Sequence, residues 1–169
     1  MCFMRRKGIR VVGLLLLWAT AGYSQVESAS FRLMLNTLLL HSVPETSVQS
    51  AAEQFSELVF LDAREWREYA VSHLDGAIHV GYDHFDLNKI SGLDLGSHIV
   101  VYCSVGYRSE KIAEKMLAAG FKNVTNLYGG IFEWVNQGRP VFNEKGKTRK
   151  VHAYDRAWGV WLNSGEKVY

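Results

Sequence analysis

Two short apolar runs constrain this chain more than any other feature: Leu58–Leu61 (LVFL) and His98–Tyr102 (HIVVY). Neither shows the polar alternation of a strand with one wet face. Strands buried on both faces read this way, and they belong to sheets covered by helices on each side. Asn123–Leu127 could be a third such strand, and Ala77–Val80 a short further one.

Helical spacing fills the intervals. Phe31, Met34, Leu35, Leu38 and Leu39 recur at i, i+3, i+4, i+7 and i+8, an amphipathic face. Thr46 and Gln49 have capping-box spacing ahead of Val48, Ala52 and Phe55. A short helix fits Glu65–Tyr69. Ser109–Ala119 reads as a helix with Ile112, Ala113, Met116 and Leu117 on one side and Gly120 as its terminator. Gly129–Gly130 makes a turn and Ile131–Asn136 a short helix. Strands alternating with helices predict an α/β fold with a largely parallel sheet. In such folds ligands bind at the carboxyl ends of the strands, where Asp62 and Cys103 both fall.

The ends differ from this middle. Met1–Arg10 carries four basic residues and no acid, Val11–Ala21 is apolar, and small residues follow up to Ser24. This describes a secretory leader over 1–24, cleaved after Ala21 or Ser24, and hence an exported protein, periplasmic or secreted. The alternative is an uncleaved membrane anchor, although a span needs about 20 apolar residues. The amphipathic helix occupies 25–44. After 142 comes a polar, basic stretch, then Tyr154, Trp158 and Trp161 at i, i+4 and i+7. The spacing predicts an aromatic helix face over 143–169 that docks on the domain, or else binds a partner.

Removing the leader changes the charge and the cysteine count. Of 19 Lys and Arg, 15 remain against 17 Asp and Glu, a net of −2. Charge therefore argues against nucleic acid or anionic membranes as partners. Cys2 goes with the leader, and Cys103 is left without an internal disulfide partner, as a reactive thiol or one that pairs between molecules. The six histidines lack metal-ligand spacing, so no metal is expected.

Cys103 ends an apolar strand and precedes a helix. Helix N-termini present unpaired N–H groups and partial positive charge. A loop Ser104-Val105-Gly106-Tyr107-Arg108 curled around the sulfur could turn further N–H groups inward as an anion nest. Gly106 permits the necessary backbone, Arg108 adds charge, and Ser109 is a candidate N-cap. Such a cradle favours the thiolate, the nucleophilic form, and would stabilise an anion bonded to it. Phosphoryl transfer and sulfur transfer both fit. The loop is C-x4-R, one residue shorter than the C-x5-R of cysteine phosphatases, which suits a single sulfur atom better.

Two separated segments, LDAREWREYAVSHLDGAIHV (61–80) and IVVYCSVGYRSEKIAEKMLAAGFKNVTNLYGGIFEW (99–134), resemble signatures of single-domain rhodanese-type sulfurtransferases. The first carries Asp-x-Arg, Glu-Tyr and His-x-x-Gly-Ala, and the second the active-site loop and a Gly-Gly turn. The resemblance covers roughly 45–140 and assigns 45–142 to a rhodanese-like domain. It implies a five-stranded, mostly parallel sheet flanked by helices. It also implies that Cys103 takes a sulfane sulfur from a donor such as thiosulfate and passes it to cyanide or a thiol through a persulfide, without a cofactor. Small sulfur-containing anions or thiols, and a protein sulfur acceptor, are the implied partners. The backbone of Ser104–Arg108 would cradle the persulfide, and Arg108 would hold the loop or the anionic donor. Asp62 and Arg64 would support the site, although capping and a structural ion pair explain them equally well. His73 is expected to make a structural hydrogen bond.

Two departures stand out. Ser104 occupies the position where many thiosulfate-type loops carry arginine, and Asp75 replaces a proline. The missing arginine puts efficient thiosulfate use in question. The competing readings are a thiol-sensing or partner-binding module and, less favoured, a phosphatase or arsenate reductase.

Overall fold

The two apolar runs lie side by side at the centre of one sheet in the computed structural model, which describes Val26 and residues 28–169. The sheet contains β1 (Glu45–Thr46), β2 (Val59–Asp62), β3 (Ile78–His79), β4 (His98–Tyr102) and β5 (Asn123–Leu127). Their order is β1-β5-β4-β2-β3, and every adjacent pair is parallel. The fold is thus the α/β class expected, with five parallel strands and helices on both faces. The leader predicted over 1–24 lies outside the described residues. Among those residues no helix is long and apolar enough to cross a membrane.

Side-chain alternation along the strands divides the core. Phe60, Val100 and Tyr102 enter one apolar cluster, with Phe31 and Leu35 of α1 (Ala29–Leu38), Val48 and Ala51 of α2 (Val48–Glu53), and Ile131 and Phe132 of α5 (Gly130–Asn136). Leu61, Ile99 and Val101 enter the other, under Ile112, Ala113 and Met116 of α4 (Tyr107–Ala118). Each fully buried Leu or Ile of this kind contributes about 1.5–3 kcal/mol. The same alternation carries Cys103 to the α4 face. Position in the strand therefore decides which helix N-terminus the sulfur meets.

Several local expectations need correction. The cap of α2 is Ser47, whose hydroxyl accepts from the Ser50 N–H at 3.1 Å. Thr46 instead belongs to the edge strand β1. Ser109 does not cap α4. Gly106 occupies that position with φ +122°, and the helix starts at Tyr107. The aromatic segment is not a helix. After the hairpin β6 (Val141–Asn143) and β7 (Gly146–Thr148), β8 (Lys150–His152) pairs in parallel with β9 (Glu166–Val168). Between β8 and β9 the only helical turn is a 3-10 turn at Gly159–Trp161. Tyr154 sits at φ +66°, in a left-handed conformation no helix accommodates. The segment still joins the core: Val151, Ala153 and Leu162 are fully buried in the first cluster, and Trp161 stacks on Phe31 with centroids 5.4 Å apart.

Candidate active site

The ends of β2 and β4 are level, with Asp62 opposite Tyr102 in the register. Cys103 follows at once and is 1% exposed. The Gly106 N–H donates to Cys103 Sγ at 3.2 Å, and no side chain caps the first turn of α4. Helix and loop together thus present donors and partial positive charge to the sulfur.

The loop is held from three sides. Behind it, the first N–H groups of α5 satisfy its carbonyls: Ile131 N–H donates to Cys103 O (2.9 Å) and Phe132 N–H to Ser104 O (3.1 Å). Gly130 makes this approach possible, because a Cβ there would lie 2.4 Å from Cys103 O. Beneath it, the buried Asn126 of β5 donates from Nδ2 to Gly106 O (3.0 Å), and Ser109 Oγ donates to Asn126 Oδ1 (2.7 Å). With these carbonyls pinned away from the sulfur, the Gly106 N–H is left toward it, as anion binding requires.

The third side is Glu68, on α3 (Trp66–Val71). Its carboxylate is fully buried and takes both arms of the Arg108 guanidinium, at 2.7 and 2.8 Å. It also accepts from Ser104 Oγ at 3.1 Å, which in turn accepts from Arg108 Nη2 at 3.0 Å. Burial alone would raise the Glu68 carboxyl, but the hydrogen bonds and charge of Arg108, joined by Arg64, bring it down to about 2. Arg108 is shifted upward: burial opposes its charge, and Glu68 more than compensates. This fork-on-fork pair was not assigned from the sequence. Its available signal was the Glu65–Glu68 spacing, which forms a capping box at the start of α3.

The remaining predicted residues fall into two groups. Cys103, Ser104, Val105, Tyr107 and Arg108 line one cavity of about 400 Å³, with Leu38, Glu65, Arg67, Tyr82, Asp83, Tyr154 and Trp158. Gly106 and Ser109 are not among the lining residues: Gly106 meets the sulfur through its N–H, and Ser109 bonds Asn126. Asp62 and Arg64 do not line the cavity. Both are fully buried, with Arg64 Nη2 2.6 Å from Asp62 Oδ2 and also donating to Ser72 O at 2.6 Å. They tie the end of β2 to the end of α3. His73 makes the structural bond expected of it, its Nδ1 lying 3.0 Å from Tyr69 O.

The rhodanese-like domain family matches residues 47–137. The tRNA uridine(34) hydroxylase of Yersinia enterocolitica is 38% identical over 88 residues, covering 49% of this chain and 25% of that protein. The chain thus spans about a quarter of the length of the curated relatives it matches. Among solved structures, a rhodanese-related protein from Thermoplasma volcanium is similar with TM-score 0.55 and 25% identity, over 60% of this chain and 99% of that one. A thiosulfate sulfurtransferase from Pseudomonas aeruginosa shares the fold with TM-score 0.53 and 23% identity, over 79% of this chain and 26% of that one. With its parallel sheet, its cysteine at the end of the central strand and this match, the chain belongs to the rhodanese-like domain family.

Proposed function

We propose that the protein is a sulfurtransferase that carries a sulfane sulfur on Cys103. The observation that carries this reading is the Gly106 N–H at 3.2 Å from Cys103 Sγ, at the floor of a cavity open to small molecules. In the first step the Cys103 thiolate attacks the outer sulfur of the donor. The donor's S–S bond breaks, its electron pair leaves with the reduced donor, and Cys103 becomes a persulfide anion. In the second step an acceptor nucleophile such as cyanide or a thiol takes that sulfur and returns the thiolate. Charge balances in both steps, and no cofactor is needed. The loop amides stabilise the anion one bond beyond Sγ, and Arg108 keeps the loop in shape through Glu68 and Ser104.

The short loop also supports sulfur over phosphoryl transfer, since α4 begins only four residues after the cysteine. The basic and apolar leader supports an exported protein. The test is intact mass spectrometry of protein treated with thiosulfate or inorganic polysulfide without reductant. A gain of one sulfur, about 32 Da, is expected, lost on adding cyanide and absent in Cys103→Ser. A thiol that stays alkylatable and gains sulfur from neither donor would leave a thiol-sensing or partner-binding role instead.

A further inference from the structure

The space above Cys103 exceeds what a sulfur atom or a thiosulfate ion needs. At about 400 Å³ it falls among pockets that enclose whole organic ligands, roughly 300–1,000 Å³. Its walls are aromatic and aliphatic: Leu38, Tyr82, Val105, Tyr107, Tyr154 and Trp158. It carries no excess of positive charge. The Arg108 guanidinium is engaged by Glu68, and Arg67 shares the rim with Asp83 and Glu65. A small dianion finds no surplus of positive charge here, while a carbon body finds rings.

Tyr154 is built into this wall rather than left on the surface by chance. Its φ of +66° is a conformation that residues with a side chain rarely adopt. It is held by its N–H, which donates to His152 Nδ1 at 3.0 Å, and its ring lies 5.2 Å from Arg108 Cζ. The His152 ring must be neutral at Nδ1 to accept that bond. Burial lowers its pKa, Glu68 opposes this, and the arginines 67, 64 and 108 lower it further. Local strain persists where surrounding structure over-determines it, and such places concentrate at ligand-binding sites.

We propose, building on the sulfurtransferase reading, that the sulfur donor is an organic hydropersulfide whose apolar or aromatic body seats against Tyr154 and Trp158. The Cys103 thiolate attacks the terminal sulfur of R–S–S⁻. The S–S bond breaks with its electron pair on R–S⁻, and Cys103 holds S–S⁻. One anion enters and one leaves, and no oxidant or reductant is consumed.

The test compares kcat/KM for benzyl hydropersulfide and for thiosulfate in the full chain, read as thiocyanate formed from cyanide, with Cys103→Ser subtracted as background. Tyr154→Gly deletes the ring at a backbone position that favours glycine, and Trp158→Leu provides an independent change. Removing one wall of an apolar pocket is expected to lower the benzyl-to-thiosulfate ratio about tenfold, chiefly through KM. A ratio unchanged in both variants overturns the inference. If thiosulfate loads Cys103 and benzyl hydropersulfide does not, this inference falls and the sulfurtransferase reading stands. If only inorganic polysulfide loads it, this inference again falls alone, and if none of the three donors loads it, both fall.

Discussion

Arg64 and Arg108 each meet a carboxylate through more than one hydrogen bond, yet their surroundings differ. Arg64 and Asp62 are both fully buried and join parts of the scaffold. Arg108 keeps 14% of its side chain exposed against a fully buried Glu68, and it faces the cavity above the cysteine. An arginine–carboxylate pair thus belongs to the scaffold when sealed on all sides and to a cavity wall when one side stays open. A buried pair resists removal of one partner because the other charge is then stranded. A pair at a cavity wall can also hold a reacting loop in shape.

The sharpest way to break this contrast is to truncate each arginine. Arg64→Ala is expected to destabilise folding by about 3–5 kcal/mol, measured by urea unfolding. Little loss would mean that Asp62 finds water or another partner. Arg108→Ala is expected to lower sulfur transfer about a hundredfold, with less effect on unfolding than Arg64→Ala. Arg108→Lys should recover little of it, because an ammonium cannot reproduce the two-armed bond. Equal stability losses in the two alanine variants would erase the distinction.

Acid tests the Arg108–Glu68 pair next. Glu68 sits at about 2 against its ordinary 4.5. Its stabilising contribution is therefore complete above pH 4.5 and is lost as pH falls towards 2. Glu68→Gln is expected to be less stable at neutral pH and to show a flatter acid limb, read from unfolding midpoints between pH 2 and 6. The smallest effect belongs to Ser104→Ala, which removes one bond each to Glu68 and Arg108. About 1–2 kcal/mol of stability is the expected loss.

The sequence was most legible where a pattern depends on the chain's own neighbours. The β4 limits agree with the run His98–Tyr102 because burial on both faces leaves a near-continuous apolar signature, and β5 coincides with the predicted Asn123–Leu127. Gly120, at φ +100°, ends its helix as its position implied. Legibility failed where a contact crosses the fold. Glu68 enters only as part of a Glu-Tyr motif, and its role needs Arg108, 40 residues on, to meet its carboxylate. Asn126 is a polar residue fully buried in β5, where it serves Gly106, 20 residues away. Spacing in the aromatic tail suggested a helix, but side-chain periodicity says nothing about a backbone turned to positive φ at Tyr154.

Leu38, Tyr154 and Trp158 lie outside the stretch shared with the family, 47–137, and yet they wall the cavity over Cys103. None of the hydrogen bonds that hold the loop comes from these three side chains. Part of the cavity wall therefore comes from chain outside the family's stretch, while every bond that holds the loop comes from within it. Changing Leu38 or Trp158 would thus reshape the space above Cys103 without removing a bond of the loop beneath it.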